Sequence, residues 1–201
     1  MSSHARKRRA FVAAVAALPL SGAVAKGTGH ETVHMTRPRV LVACFSRSGN
    51  TRVVAGLLQR AFKADLFEIR PARPYPDEYL TTVEQARQER DSGVEPTLAA
   101  RISDLRTYDT VYLGFPIWGE TTPPIIRSFL ATHDLAGKTL TPFVTHGGYG
   151  LGNSMSVLAG KAPRTKISRP FVMQADQERK TMNLVNEWFD ETGLDKLSQA
   201  S

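Results

Sequence analysis

The chain reads as an α/β domain: a doubly wound, five-stranded parallel sheet with helices on both faces. Two features predict it. Short apolar runs of strand length alternate with stretches whose apolar residues recur at helical spacing. The first run, Val40-Leu41-Val42-Ala43-Cys44-Phe45, is apolar throughout, as in a strand covered on both faces. Successive parallel strands then require right-handed crossovers, and ligands bind beyond the carboxyl ends of the strands.

Each element follows from local pattern. After the strand at 40–45, apolar residues at helical spacing (Val53, Val54, Leu57, Leu58, Ala61) predict a helix over 50–62. Residues 65–69, 111–115, 139–145 and 171–174 supply four further strands, and 125–131, 154–160 and 176–192 supply helices. Between the second and third strands lies an additional stretch, 71–96. It opens with Pro71, Pro74 and Pro76, and continues as an amphipathic segment over 77–90 with Tyr79, Val83 and Ala86 on one side. This predicts a turn and a surface helix. His133, at a helix end, is expected to be solvated.

Composition narrows the chemistry. A chain of 201 residues with 41% hydrophobic and 22% charged residues is long enough for one well-cored domain. A single cysteine, Cys44, excludes an internal disulfide and multi-cysteine metal sites. Lying inside the first strand, Cys44 reads as an inert core thiol. No metal site is expected: His146 has no second His, Cys or carboxylate at ligand spacing and reads as a polar loop residue.

The net charge of +7 is concentrated at the start, where Arg6, Lys7, Arg8 and Arg9 precede any acid. Without these four, 22 basic residues face 19 acidic ones, a net of +3, so nucleic acid is not an expected partner. The four basic residues, the apolar run 11–20 and the small residues Ala23-Val24-Ala25 have the layout of an export signal over 1–25. Arg8-Arg9 before Ala10, Phe11 and Val12 resembles a twin-arginine signal, a route for folded, cofactor-loaded proteins. The expected location is therefore periplasmic or extracellular, with no stable membrane span once the signal is removed. The alternative is a basic extension on a cytoplasmic protein. Residues 26–37 read as a linker, 38–192 as the domain and 193–201 as a tail.

The loop after the first strand carries the strongest chemical signal. Ser46, Arg47, Ser48, Gly49, Asn50 and Thr51 combine hydroxyls, a glycine and the free amides of a helix start, a combination suited to a phosphate dianion. The loop lacks both the lysine of a nucleoside-triphosphate loop and three spaced glycines, so a monophosphate is the expected ligand. An ordinary capped helix uses similar residues.

Ser46-Arg47-Ser48-Gly49-Asn50-Thr51 resembles the FMN phosphate loop of flavodoxins, and two later segments keep the family's order. Gly114-Phe115-Pro116-Ile117-Trp118-Gly119-Glu120 resembles the second flavin loop, and His146-Gly147-Gly148-Tyr149-Gly150 resembles the third. Tyr75-Pro76-Asp77-Glu78-Tyr79, with Ala86, Glu89 and Pro96, resembles a bacterial branch of that superfamily. The resemblance covers about residues 38–192. It implies a flavodoxin-like sheet of order 2-1-3-4-5, FMN as cofactor, and electron transfer that needs no catalytic base.

On that resemblance, Pro116, Ile117, Trp118, Gly119 and Glu120 line the flavin, with Trp118 the stacking residue; the alternative is a rim or core aromatic. His146, Gly147, Gly148, Tyr149 and Gly150 form the other wall. Tyr149 either covers the ring or stands exposed, and the glycines bring backbone amides to the pyrimidine edge. Arg47 and Glu120 are the candidate charges for shifting the flavin's potential in opposite directions.

Three functions remain open. An electron carrier needs a redox partner protein. An FMN-dependent reductase would pass electrons from a nicotinamide to a quinone-type small-molecule acceptor. A cofactor-free binding module fits the intact loops least. The +3 balance does not predict an acidic docking face, and export would separate the protein from cytoplasmic nicotinamide. Oligomeric state is not legible in the sequence.

Overall fold

A computed structural model describes residues 38–174, 185 and 187–192. The segments expected to be the export signal, the linker, the first part of the last helix and the tail lie outside the described residues.

The sheet is parallel and centred on β1 (Val40–Cys44), which pairs with β2 (Asp65–Glu68) on one side and β3 (Thr110–Pro116) on the other. β3 pairs in turn with β4 (Thr139–His146). Beyond β4 the fifth position is shared by two short segments, β5 (Lys166–Ile167) and β6 (Phe171–Gln174), both parallel to β4. The order is thus 2-1-3-4-5 with an interrupted fifth strand. β5 pairs with Thr139 and Leu140, and β6 with 143–146, so the gap lies opposite Thr141 and Pro142. Neither Pro142 nor Pro170, just before β6, has an N–H to give to a ladder, which accounts for the interruption.

The expected helices form as α1 (Asn50–Phe62), α3 (Pro124–Thr132) and α4 (Ser154–Lys161). α1 and the helical residues 187–192 cover one face, packing Val54, Leu58, Trp188 and Phe189 on Val42, Cys44, Tyr112 and Phe143. α3 and α4 cover the other over Leu41, Ala43, Val111, Leu113 and Val144. Phe115, Phe129 and Phe143 are fully buried, and truncating any one to Ala would cost about 3–5 kcal/mol.

The inserted segment forms α2 (Tyr79–Asp91), which begins two residues later than the pattern predicts. Glu78 supplies the N-cap, its carboxylate accepting from the Leu80 and Thr81 amides at 2.9 and 2.5 Å. The helix does not bury the predicted face. Tyr79 is 65% exposed and Val83 is also exposed, whereas Thr82 and Ala86 face inward. The excursion is closed at its base, where the Ala72 amide donates to Thr97 O and the Ala99 amide to Arg70 O, each at 2.8 Å.

His133 also departs from expectation: it is only 6% exposed. Its ring stacks on Phe129 at 4.4 Å, Nδ1 lies 2.9 Å from Phe129 O, and Nε2 accepts the Ile102 amide at 3.1 Å. The chain returning toward β3 covers this ring, a long-range contact that helix-end position alone does not reveal. Burial lowers its pKa.

Candidate cofactor site

Three loops leave the carboxyl ends of β1, β3 and β4 and are laced together. The Phe45 amide donates to Gly114 O at 2.9 Å, and the Ile117 amide to Thr145 O at 2.8 Å. Thr51 and Thr145 share a buried hydroxyl–hydroxyl bond of 2.8 Å, and the Asn153 amide donates to Glu120 O at 3.0 Å. All sixteen residues expected in the site therefore belong to one edge of the sheet, the edge where doubly wound folds bind ligands.

In the first loop Ser46 is buried and its Oγ accepts the Gly49 amide at 3.1 Å, folding the loop back under α1. Gly49 takes φ 99° as the N-cap, and no side chain caps the helix. The first turn of α1 carries no acidic residue, so its amides and the positive end of the helix dipole suit an anion. Ser48 is exposed and Asn50 half-buried. Thr51 is buried, its hydroxyl engaged with Thr145, so it anchors the loop as well as bordering it. Arg47 reaches the inserted segment: its Nη2 donates to Asp77 O at 2.6 Å and its guanidinium lies 5.9 Å from the Tyr79 ring centroid.

In the second loop, Trp118 and Thr121 exchange backbone hydrogen bonds of 3.1 and 3.3 Å around Gly119 and Glu120. These two residues have φ 56° and 59°, as a type I′ turn requires. Glycine takes such φ at little cost; Glu120 carries the strain of a side chain there. Half-buried Trp118 is set edge-to-face against Phe45 at 5.1 Å and Tyr75 at 5.0 Å. Pro116 and Ile117 are half-buried beside it. Tyr75 in turn donates its hydroxyl to Glu89 Oε2 at 2.8 Å, and burial with that carboxylate raises its pKa.

In the third loop, half-buried His146 accepts the Gly148 amide on Nδ1 at 3.0 Å, a loop-shaping role. Tyr149 is 78% exposed. A Cβ placed on Gly49, Gly147, Gly148 or Gly150 would meet no atom within 4 Å, so open space borders the first and third loops. Gly152 is different: a Cβ there would overlap the Glu120 carbonyl, the point where the second and third loops meet. Thr121, Thr122 and Ser154, at the starts of α3 and α4, bury hydroxyls without a hydrogen-bond partner among the described residues. Such groups cost roughly 1–3 kcal/mol each where they stay unpaired.

Cys44 lies behind the site, buried, with its thiol pushed up to about 12 chiefly by burial, as an inert core residue. Sequence reasoning missed the contacts that Phe45 and Tyr75 make with Trp118 and that the Arg90 guanidinium makes beside Gly119. Phe45 ends an apolar run and resembles any core residue. Tyr75 was visible only as part of the inserted segment. Arg90 sits among Glu84, Arg87 and Asp91 and resembles a solvated helix face.

A helix start prepared for an anion, a neighbouring aromatic turn and an open glycine loop define a doubly wound domain for a flat, phosphate-bearing ligand. The flavodoxin family profile matches residues 39–192. The chain belongs to the flavodoxin family. Among solved structures, a candidate flavoprotein from Bacteroides eggerthii is 32% identical, with TM-score 0.66 over 76% of this chain and 96% of its own. A candidate flavoprotein from Bacteroides uniformis is 29% identical, with TM-score 0.66 over 74% and 98%. A Lactobacillus acidophilus flavoprotein solved in complex with FMN has the same fold at 20% identity, with TM-score 0.59 over 71% and 97%. No curated protein matches the chain.

Proposed function

We propose that the protein binds FMN at this edge and transfers electrons through it. The observation that carries the reading is the uncapped start of α1, which closes the 46–51 loop beside the Trp118 turn. The α1 amides with Ser46 and Ser48 would hold the phosphate, Trp118 and the 116–120 turn one side of the ring, and the 146–150 loop its other margin. FMN supplies the electron chemistry when bound. The chain's own task is to bind, orient and set the charge around it. The FMN complex of the Lactobacillus acidophilus flavoprotein supports the choice of cofactor.

A redox partner protein is the proposed electron source or acceptor. The second reading, an FMN-dependent reductase, requires a site for an anionic nicotinamide dinucleotide, for which Arg52 and Arg70, both paired with Glu68 at the carboxyl end of β2, are the candidate cations. Mixing FMN-loaded protein with NADH or NADPH and a quinone decides between them. A carrier oxidises neither nicotinamide at a catalytic rate, whereas steady turnover establishes the reductase. We also propose that residues 1–25 direct export; a mature N-terminus near residue 26 in the periplasmic or secreted fraction supports this, and intact cytoplasmic protein contradicts it.

A further inference from the structure

We infer that Arg90, on the inserted helix, is a cofactor-site residue whose charge favours the reduced flavin; this rests on the FMN reading above. The inserted segment lies against the second loop through two side chains. Tyr75 packs on Trp118, and the Arg90 guanidinium is pressed against Gly119. A Cβ on Gly119 would fall under 3.0 Å from Arg90 Nη1 and 3.5 Å from its Cζ, so a side chain at 119 would displace the guanidinium from this position. Gly119 therefore meets two demands, the positive φ of its turn and the approach of Arg90.

Arg90 supplies the positive charge against Gly119, beside the carboxylates of Glu89, Asp91 and Glu120. Arg90 is 30% exposed, so its field is screened less than that of a fully solvated arginine. Its Nε donates to Asp91 Oδ1 at 3.1 Å, but Asp91 is also engaged by Arg87 at 3.4 Å. Glu89 is held by Tyr75 and Gln85. Glu120 is exposed, with no ion pair among the described residues. Nη1, the nitrogen against Gly119, makes no hydrogen bond among the described residues and remains able to donate. Arg47, the cation that the sequence singles out, is committed instead to Asp77 and Tyr79. Reduction adds negative charge to a flavin, and a nearby cation stabilises the reduced form more than the oxidised one.

The test is the midpoint potential of FMN-loaded protein, measured by dye equilibration, for wild type, Arg90→Gln and Arg90→Lys. Arg90→Gln is expected to weaken binding of reduced FMN about tenfold relative to oxidised FMN, which for a two-electron couple is about 30 mV to lower potential. Arg90→Lys retains the charge and should recover most of the shift. Asp91→Asn removes the opposing carboxylate and should move the potential upward, so the inference stays testable if Arg90→Gln folds poorly. An unchanged potential in Arg90→Gln with normal binding of oxidised FMN overturns the role of Arg90 and leaves the FMN reading intact. A wild type that takes up no FMN overturns both.

Discussion

Trp118 and Thr51 are structural residues of the candidate site, each packed or bonded across elements. Trp118 is packed edge-to-face with Phe45 and Tyr75 and stands at the turn of the second loop. Trp118→Ala should weaken FMN binding by about 1–3 kcal/mol, measured by fluorescence titration, on the scale of a lost aromatic anchor. Unchanged affinity would place the ring elsewhere, with Tyr149 the next aromatic to substitute. Thr51 ties α1 to β4 through Thr145, and both residues are buried. Thr51→Val strands the Thr145 hydroxyl and should cost about 1–3 kcal/mol in urea unfolding, whereas adding Thr145→Val should return much of that loss. A double variant no more stable than Thr51→Val would show that the bond is not the source of the effect.

The elements were legible in the sequence wherever burial follows local periodicity. The β1 run, the α1 spacing and the order of the later strands all emerge because both faces of the sheet are covered, so strands and helices carry continuous apolar signals. The interrupted fifth strand was not legible, because its break depends on Pro142 lying opposite the gap and Pro170 just before β6, on two separate chain segments. α2 misled for a related reason. Its large apolar residues Tyr79, Leu80 and Val83 are exposed, and its attachment runs through Thr82, Ala86, Tyr75, Arg90 and the base of the excursion. In the stretch from Leu98 to β3, one of the anchors is a buried imidazole. His133 must be neutral to accept the Ile102 amide, and its pKa is lowered in the folded protein. Its contribution is therefore present above about pH 6.5, the unfolded value, and is lost as the pH falls from there toward the lowered folded value. Urea midpoints between pH 8 and 5 should fall more steeply for wild type than for His133→Gln; parallel curves would contradict this account.

The molecule as a whole is a flavodoxin-family domain whose three site loops were readable because each is short, local and rich in Ser, Gly or aromatic residues. What the sequence withheld is the contribution of the inserted segment, whose Tyr75 and Arg90 reach the site only through tertiary packing. The account turns on the identity of the ligand. The start of α1 after β1 has no side-chain cap and no acid in its first turn, as a terminal monophosphate would require, and the sequence carries no second nucleotide motif to receive an adenosine. The decisive measurement is chromatography of the chromophore released when the purified, FMN-exposed protein is denatured. The account predicts FMN in near-equimolar amount; recovery of FAD, or a colourless protein that excess FMN cannot reconstitute, would contradict it.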